Sequence, residues 1–267
     1  MTEERVYHIL VTNDDGVQAP GLLALKKALE GLGKITVFAP DHNWSVAGHN
    51  KTMHKPLRVN RTQLADGTPA LITNGSPSDC VGLAILGLVQ PKLDLVVSGI
   101  NQGPNMGHDI TYSGTVAAAM EAAVFGIPAI AVSLDTFESG KDFGPAARFA
   151  ALLAAQVLKE GLPPDTLLNV NVPAIPGDQI RGVMFTRLGK RIYQDELICR
   201  QDPRGQDYYW IGGAPPSGVI EDGTDIGAVA NGYISVTPLN LDMTDYRLLR
   251  VLERWQSVLS RLVLEGR

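Results

Sequence analysis

What most constrains this chain is the alternation, through its first two-thirds, of short and almost wholly apolar runs with helix-patterned segments. Residues 6–12 (VYHILVT) read as a buried parallel strand, because a strand covered on both faces carries a continuous apolar run. A helix is expected over 20–30, with Pro20 in its first turn and Leu22, Leu23, Leu25 and Leu29 as an apolar stripe. Further strands are expected at 34–39 (KITVFA), 71–73, 94–98 (DLVVS), 129–134 and 166–172. Helices are expected at 77–89, with Ser76 as N-cap and Pro77 in the first turn, at 115–125 and at 143–159. Strand and helix in this order imply an α/β fold, a mostly parallel sheet covered by helices on both faces.

The rhythm changes after Pro173. Residues 176–232 are rich in Gly, Pro, Asp, Tyr and Trp, with short strand candidates at 182–188 and 206–212. They suggest β-hairpins or an extended arm. Strand pattern returns at 234–237, and residues 245–264 close the chain as an amphipathic helix with Leu248, Leu249, Leu252, Trp255 and Leu259 on one side. That stripe suits a core or an interface. The expected organisation is a catalytic core over 1–173 and an extension over 174–267, the two forming one structural unit. No internal repeat and no low-complexity tract interrupts it.

In an open parallel sheet, ligands bind outside the carboxyl ends of the strands, so the loops there are where chemistry is sought. After the first strand come Asn13, Asp14, Asp15 and Gly16. Adjacent carboxylates at that edge can give hard oxygen ligands to Mg²⁺ or Mn²⁺, although the same residues make an ordinary Asx turn. After the second strand, residues 41–51 (DHNWSVAGHNK) offer neutral oxygens from Asn43 and Ser45 and phosphate or base contacts from His42, His49 and Lys51. Alone, they would pass for a surface loop. Residues 98–107 (SGINQGPNMG) place Asn101 and Asn105 among glycines that let backbone approach a ligand, or simply form a long turn. Ser113, Gly114 and Thr115 open an Ala-rich helix, whose free N–H groups and positive dipole end suit an anion; a plain Ser N-cap explains Ser113 alone.

Charge narrows the possibilities. The net charge is -5 with no long Lys/Arg run, which disfavours a nucleic-acid groove or an anionic membrane as partner. An acidic protein that handles phosphate must find positive charge in a metal ion or a helix N-terminus. The loops above supply ligands for the first and contain the second. That is equipment for transferring a phosphoryl group to water.

Taken together, VTNDDG, APDHNWS, NGSPSDC, SGINQGPNMG and YSGTVAAAMEA, in this order, resemble the SurE family of stationary-phase survival proteins. The resemblance is strong over residues 6–173 and looser beyond. It implies a metal-dependent nucleotidase acting on nucleoside 5'- and also 3'-monophosphates, with a side activity on short polyphosphate. It implies one divalent metal, Mg²⁺ or Mn²⁺, per subunit, held by Asp14, Asp15, Ser45 and Asn101, with Asp14 and Asp15 catalytic. Asn105, Ser113, Gly114 and Thr115 would line the phosphate site. The implied fold is a Rossmann-like core with a protruding β-hairpin and a C-terminal segment that join subunits into a homodimer or homotetramer. One departure stands out: Val46 follows Ser45 where the family often has Gly.

Asn13, Lys51 and His108 are further expected substrate contacts, His108 as a donor of a proton to the leaving alcohol. Tyr193, Tyr208, Tyr209 and Trp210 either stack on a nucleobase or pack the arm on a neighbouring subunit. No HExxH zinc signature occurs. Two rivals remain. A covalent aspartyl-phosphate route of haloacid-dehalogenase type wants a second Asp two positions after the first, and position 16 is Gly. A non-catalytic nucleotide sensor is permitted by the strand–helix pattern, yet neither GxGxxG after the first strand nor a GxxxxGK[ST] loop is present. The two cysteines, Cys80 and Cys199, form no CxxC, residues 1–5 lead polar into the first strand, and no apolar stretch could span a bilayer. A cytoplasmic protein is expected.

Overall fold

The computed structural model describes residues 6–265; residues 1–5, read above as polar, and residues 266–267 lie outside the described residues. β1 (Tyr7–Thr12) leads through α1 (Pro20–Leu29) to β2 (Gly33–Pro40), and β3 (Val59–Gln63) and β4 (Pro69–Thr73) follow as an antiparallel pair. Then come α2 (Pro77–Leu83), β5 (Leu95–Gln102), α3 (Gly114–Val124), β6 (Ala129–Asp135), α4 (Gly144–Glu160) and β7 (Thr166–Pro173). The remainder holds β8 (Val183–Phe185), β9 (Arg191–Gln201), β10 (Asp207–Gly218), α5 (Asp225–Ala230), β11 (Ile234–Asn240), α6 (Tyr246–Leu252) and α7 (Gln256–Glu265).

Nine strands form one sheet in the order β3-β4-β2-β1-β5-β6-β7-β11-β8. The run from β4 to β7 is parallel, and β11 returns antiparallel beside β7. Because side chains alternate across a strand, β1 feeds two cores at once. Ile9 and Val11 pack on one face with Leu22 and Leu25 of α1 and Ala146 and Ala150 of α4. Leu10 packs on the other face with Val81 of α2 and Ala118 and Ala122 of α3. All of these are completely or almost completely buried, which is why the strands read as unbroken apolar runs.

The topology also selects where a ligand can sit. From β1 the chain moves to one side, to β2, and later returns to the other side, to β5. The crevice outside the carboxyl ends of β1 and β5 is therefore a switch point of the sheet.

Some of the expected elements take another form. The polar edge strand β3 (VNRTQ) had no apolar signal. The expected strands at 182–188 and 206–212 become a short β8 within the main sheet and a separate, long hairpin of β9 and β10. The expected closing helix is broken by a tight turn at Glu253–Trp255. Its stripe does not enter this chain's core: Leu248, Leu249, Leu252, Trp255 and Leu259 are all exposed. Among the described residues, no helix is long and apolar enough to cross a membrane.

Candidate active site

β1 delivers its last residues into the switch-point crevice. Asn13 is fully buried and its Nδ2 donates to the Gly16 carbonyl (2.9 Å), closing a turn that Gly16 makes possible at φ +96. The loop after β2 is drawn in because the Trp44 amide donates to the Asp14 carbonyl (2.8 Å). β5 reaches the same place by passing close to its neighbour: a Cβ on Gly99 would lie 2.3 Å from the Val132 carbonyl oxygen. Beyond that point, Asn101 and Gln102 complete the crevice, and the Gln102 amide donates to Asp15 Oδ2 (3.2 Å).

The start of α3 is pressed against β1's carboxylates. Ser113 caps the helix, its Oγ accepting from the Val116 amide (3.1 Å). A Cβ on Gly114 would lie 2.7 Å from Asp14 Cβ, so glycine is what allows this approach. The Thr115 hydroxyl donates a short hydrogen bond to Asp14 Oδ1.

These elements enclose a cavity of about 570 Å³. Asp14, Ser45, Asn101, Asn105 and Ser113 give it a polar lining. Its outer wall is apolar and aromatic, from Tyr112, Phe137, Tyr193 and Ile211, with Asp109 and Asp195 among them. Tyr193 and Ile211 come from the β9–β10 hairpin, so the arm closes one side of the pocket in its own chain. Its base is fixed by Asp109, which accepts from Arg191 Nε (2.5 Å) and from the Tyr193 hydroxyl (2.6 Å).

The electrostatics are those of a site short of a cation. Burial pushes the Asp14 carboxyl up to about 6, against the Thr115 hydrogen bond and with help from the charge of Asp15. Burial likewise raises Asp15, against its bond from the Gln102 amide. Among the described residues, no Lys, Arg or His forms an ion pair with either. Two neutral oxygens line the same cavity as Asp14. Asn101 donates its Nδ2 to the Gly103 carbonyl (2.8 Å), which leaves its Oδ1 for another partner. Ser45 donates its hydroxyl to Asn43 Oδ1 (2.6 Å), which leaves the Oγ lone pairs. Among the described residues, no three His, Cys, Asp or Glu side chains cluster as a metal site. Two carboxylates and neutral oxygens make a donor set that fits a hard cation.

Each expected residue has a definite place. Asp14, Ser45, Asn101, Asn105 and Ser113 share the cavity, and Asp15 lies beside it on the Gln102 amide. Asn105 is held by its Nδ2 to Ser133 Oγ (2.8 Å) and by its amide to Asn171 Oδ1 (2.8 Å). Gly114 packs directly against Asp14, and the Thr115 hydroxyl is spent on that carboxylate. Asn13 serves the turn. Lys51 pairs with Glu121 (2.7 Å), and His108 is exposed; neither lines the cavity. Gln102, Asp109 and Phe137 carried no signal in sequence that would have marked them for this site. Of the arm aromatics, Tyr193 lines the cavity, while Tyr208, Tyr209 and Trp210 are exposed and do not.

Comparison with known proteins adds four findings. The family model "Survival protein SurE" matches residues 9–195. The 5'-nucleotidase SurE of Herpetosiphon aurantiacus is 59% identical over 239 residues, covering 89% of this chain and 94% of that one. That of Chloroflexus aggregans is 53% identical over 250 residues, covering 93% and 99%. In structure, the crystal structure of the SurE protein from Aquifex aeolicus aligns with a TM-score of 0.79 at 41% identity, covering 93% of this chain and 99% of that one.

Proposed function

The chain belongs to the SurE family, and on that premise we infer that it is an enzyme, a 5'-nucleotidase, cleaving nucleoside 5'-monophosphates into nucleoside and phosphate with the help of one divalent metal. The observation that carries this reading is a buried carboxylate, Asp14, that lines one cavity with neutral oxygen donors and a helix start, with the second carboxylate, Asp15, next to it and no ion-pair partner for either among the described residues.

Asp14, Asp15, Ser45 and Asn101 would hold the metal, which when bound supplies Lewis-acid polarisation of the phosphoryl oxygens and a lowered pKa for water. The chain's own residues do the rest. Ser113 and Asn105 face the cavity and, with the amide of Gly114 at the α3 start, take the phosphoryl oxygens and stabilise charge spreading in the transition state. Thr115 acts through Asp14, holding its carboxylate in one orientation. Asp14 receives the proton of the attacking water as the new P–O bond forms, and the nucleoside oxygen takes a proton from solvent water as its own bond to phosphorus breaks. The aromatic outer wall takes the nucleoside: about 570 Å³ is ample for a nucleotide, and base faces pack on rings such as Tyr112, Phe137 and Tyr193. Neither Lys51 nor His108 has a part in this scheme. Nucleoside 3'-monophosphates and short polyphosphate are secondary substrates of the same site.

The exposed apolar residues of the hairpin (Leu197, Trp210) and of α6 and α7 (Leu252, Val258) supply the surface for self-association as a homodimer or homotetramer. Unpaired Cys80 and Cys199 accord with a reducing cytoplasm.

The test is phosphate release by metal-stripped protein from a panel of nucleoside monophosphates and short polyphosphate, with and without Mg²⁺ or Mn²⁺. Release is expected only with metal, and Asp14→Asn is expected to abolish it with the fold intact. Undiminished turnover in that variant, or turnover without metal, would sink the assignment. Tight nucleotide binding with no release would favour a sensor.

A further inference from the structure

The segment that carries Ser45 has no regular structure between the end of β2 and the start of β3, over residues 41–58. Ser45 is exposed, and both its amide and its hydroxyl bond within the loop, to Asn43 Oδ1 at 2.6 Å each. Its position must therefore be set by where the loop is tied down. The Trp44 amide reaches the Asp14 carbonyl (2.8 Å) and the Gly48 amide reaches the Tyr112 carbonyl (2.9 Å). Immediately beyond, His49 Nε2 lies 2.9 Å from Glu121 Oε2 and Lys51 Nζ lies 2.7 Å from Glu121 Oε1. The lysine contact is an ion pair without aligned hydrogen-bond geometry, and Lys51 also sits over the Phe125 ring at 5.4 Å.

Glu121 is out of place by composition. It projects from α3 among Ala118, Ala119, Ala122 and Ala123, all buried, and its own side chain is only 1% exposed. Burying a carboxylate and pairing it rarely stabilises a fold more than an apolar residue of the same size would, so stability alone does not account for it. What it does provide is a fixed point. α3 already orients Asp14 through Thr115 near its first turn; through Glu121, further along, the same rigid helix grips the loop that presents Ser45.

We propose that His49, Lys51 and Glu121 form a clamp that sets the Ser45 loop against the metal-binding edge, making His49 and Glu121 positioning residues of this enzyme. The proposal rests on the reading of Ser45 as a metal ligand given above. One helix thereby fixes the spacing between the carboxylate side of the site and its hydroxyl side.

The experiment is Mn²⁺ titration of the full-length, metal-stripped protein followed by electron paramagnetic resonance, with thermal unfolding and steady-state kinetics alongside. His49→Ala is expected to weaken Mn²⁺ binding about 10-fold, the scale of losing an outer-sphere support, with little change in unfolding temperature. His49→Gln, which keeps a donor for Glu121, is expected to restore most of the affinity. Ser45→Ala serves as the reference. Wild-type Mn²⁺ affinity in His49→Ala, with Ser45→Ala weakened, would overturn the clamp. So would equal losses in His49→Ala and His49→Gln. Wild-type affinity in both Ser45→Ala and Asp14→Asn would instead take down the metal-site reading itself, and the clamp with it.

Discussion

The two edges of the central sheet each bury a titratable side chain next to β1, and they treat it in opposite ways. At the amino edge, His8 is 1% exposed and fully provided for. Its Nδ1 lies 2.7 Å from the Pro91 carbonyl and its Nε2 lies 2.8 Å from Thr36 Oγ1, while its amide donates to Asp94 Oδ2 (2.8 Å). At the carboxyl edge, Asp14 is 4% exposed, has a second carboxylate beside it, and has no ion-pair partner among the described residues. Buried polar groups that serve the fold are satisfied, because an unpartnered one costs about 1–3 kcal/mol. A buried charge left wanting is the mark of a place reserved for something else. The contrast is between a residue the fold uses and a residue it carries for chemistry.

The largest expected break in that contrast comes from Asp14→Asn. The folded Asp14 titrates at about 6, above its ordinary 3.8, so the native state holds this proton longer than the unfolded chain does. The associated stability is complete below about pH 4 and is lost as pH rises through about 6. Above that, the ionised group costs the metal-free protein on the order of 2–3 kcal/mol. The amide keeps an acceptor for Thr115 but has no charge to desolvate. Metal-free Asp14→Asn is therefore expected to be more stable than wild type at pH 8 by that order, while catalytically dead. Added Mn²⁺ should raise the urea midpoint of wild type and leave the variant's unmoved. A less stable variant at pH 8 would mean that Asp14 serves the fold after all.

His8 predicts a slope of the opposite sign and smaller size. Burial lowers its pKa, with Lys34 adding to the effect and the Pro91 carbonyl and Asp94 opposing it. The unfolded chain then binds this proton more readily, so stability is present above the ordinary histidine value and lost as pH falls below it. His8→Gln is expected to flatten that acid limb in urea midpoints measured between pH 5 and 7. An unchanged limb would assign it to other groups.

The sequence exposed these regions unevenly, for physical reasons. Strands buried on both faces leave a continuous apolar record, so β1, β2, β5, β6 and β7 were readable together with the edge at which Asp14 and Asn101 would meet. β3 left no such record, being mostly exposed and polar. The long hairpin and terminal helices were read as arm and stripe, but most of the described large apolar residues there are exposed. At the site, ligand types could be read from local motifs, whereas their supports could not. Thr115 reaches Asp14 across 101 positions and His49 reaches Glu121 across 72, and no periodicity encodes contacts of that range. Thr115 accordingly looked like part of the phosphate cradle, and Lys51 like a phosphate ligand.

Val46 offers the smallest test, on the loop that lies between these two extremes. It follows Ser45 at φ +61 and is 75% exposed, so a β-branched residue occupies a left-handed conformation without burial to compensate. Such a residue there costs roughly 1–2 kcal/mol, and glycine removes that cost while adding roughly 0.5–1 kcal/mol of unfolded-state entropy. Val46→Gly is therefore expected to be neutral to stabilising by up to about 1.5 kcal/mol, a rise of no more than about 3 °C in unfolding temperature. Nearly unchanged Mn²⁺ affinity should accompany it, since the feet of the loop at Trp44, Gly48 and His49 are untouched. Destabilisation by more than about 0.5 kcal/mol would show that the valine side chain has a partner which the single chain does not provide, and would move this loop from the catalytic side of the comparison to the interface side.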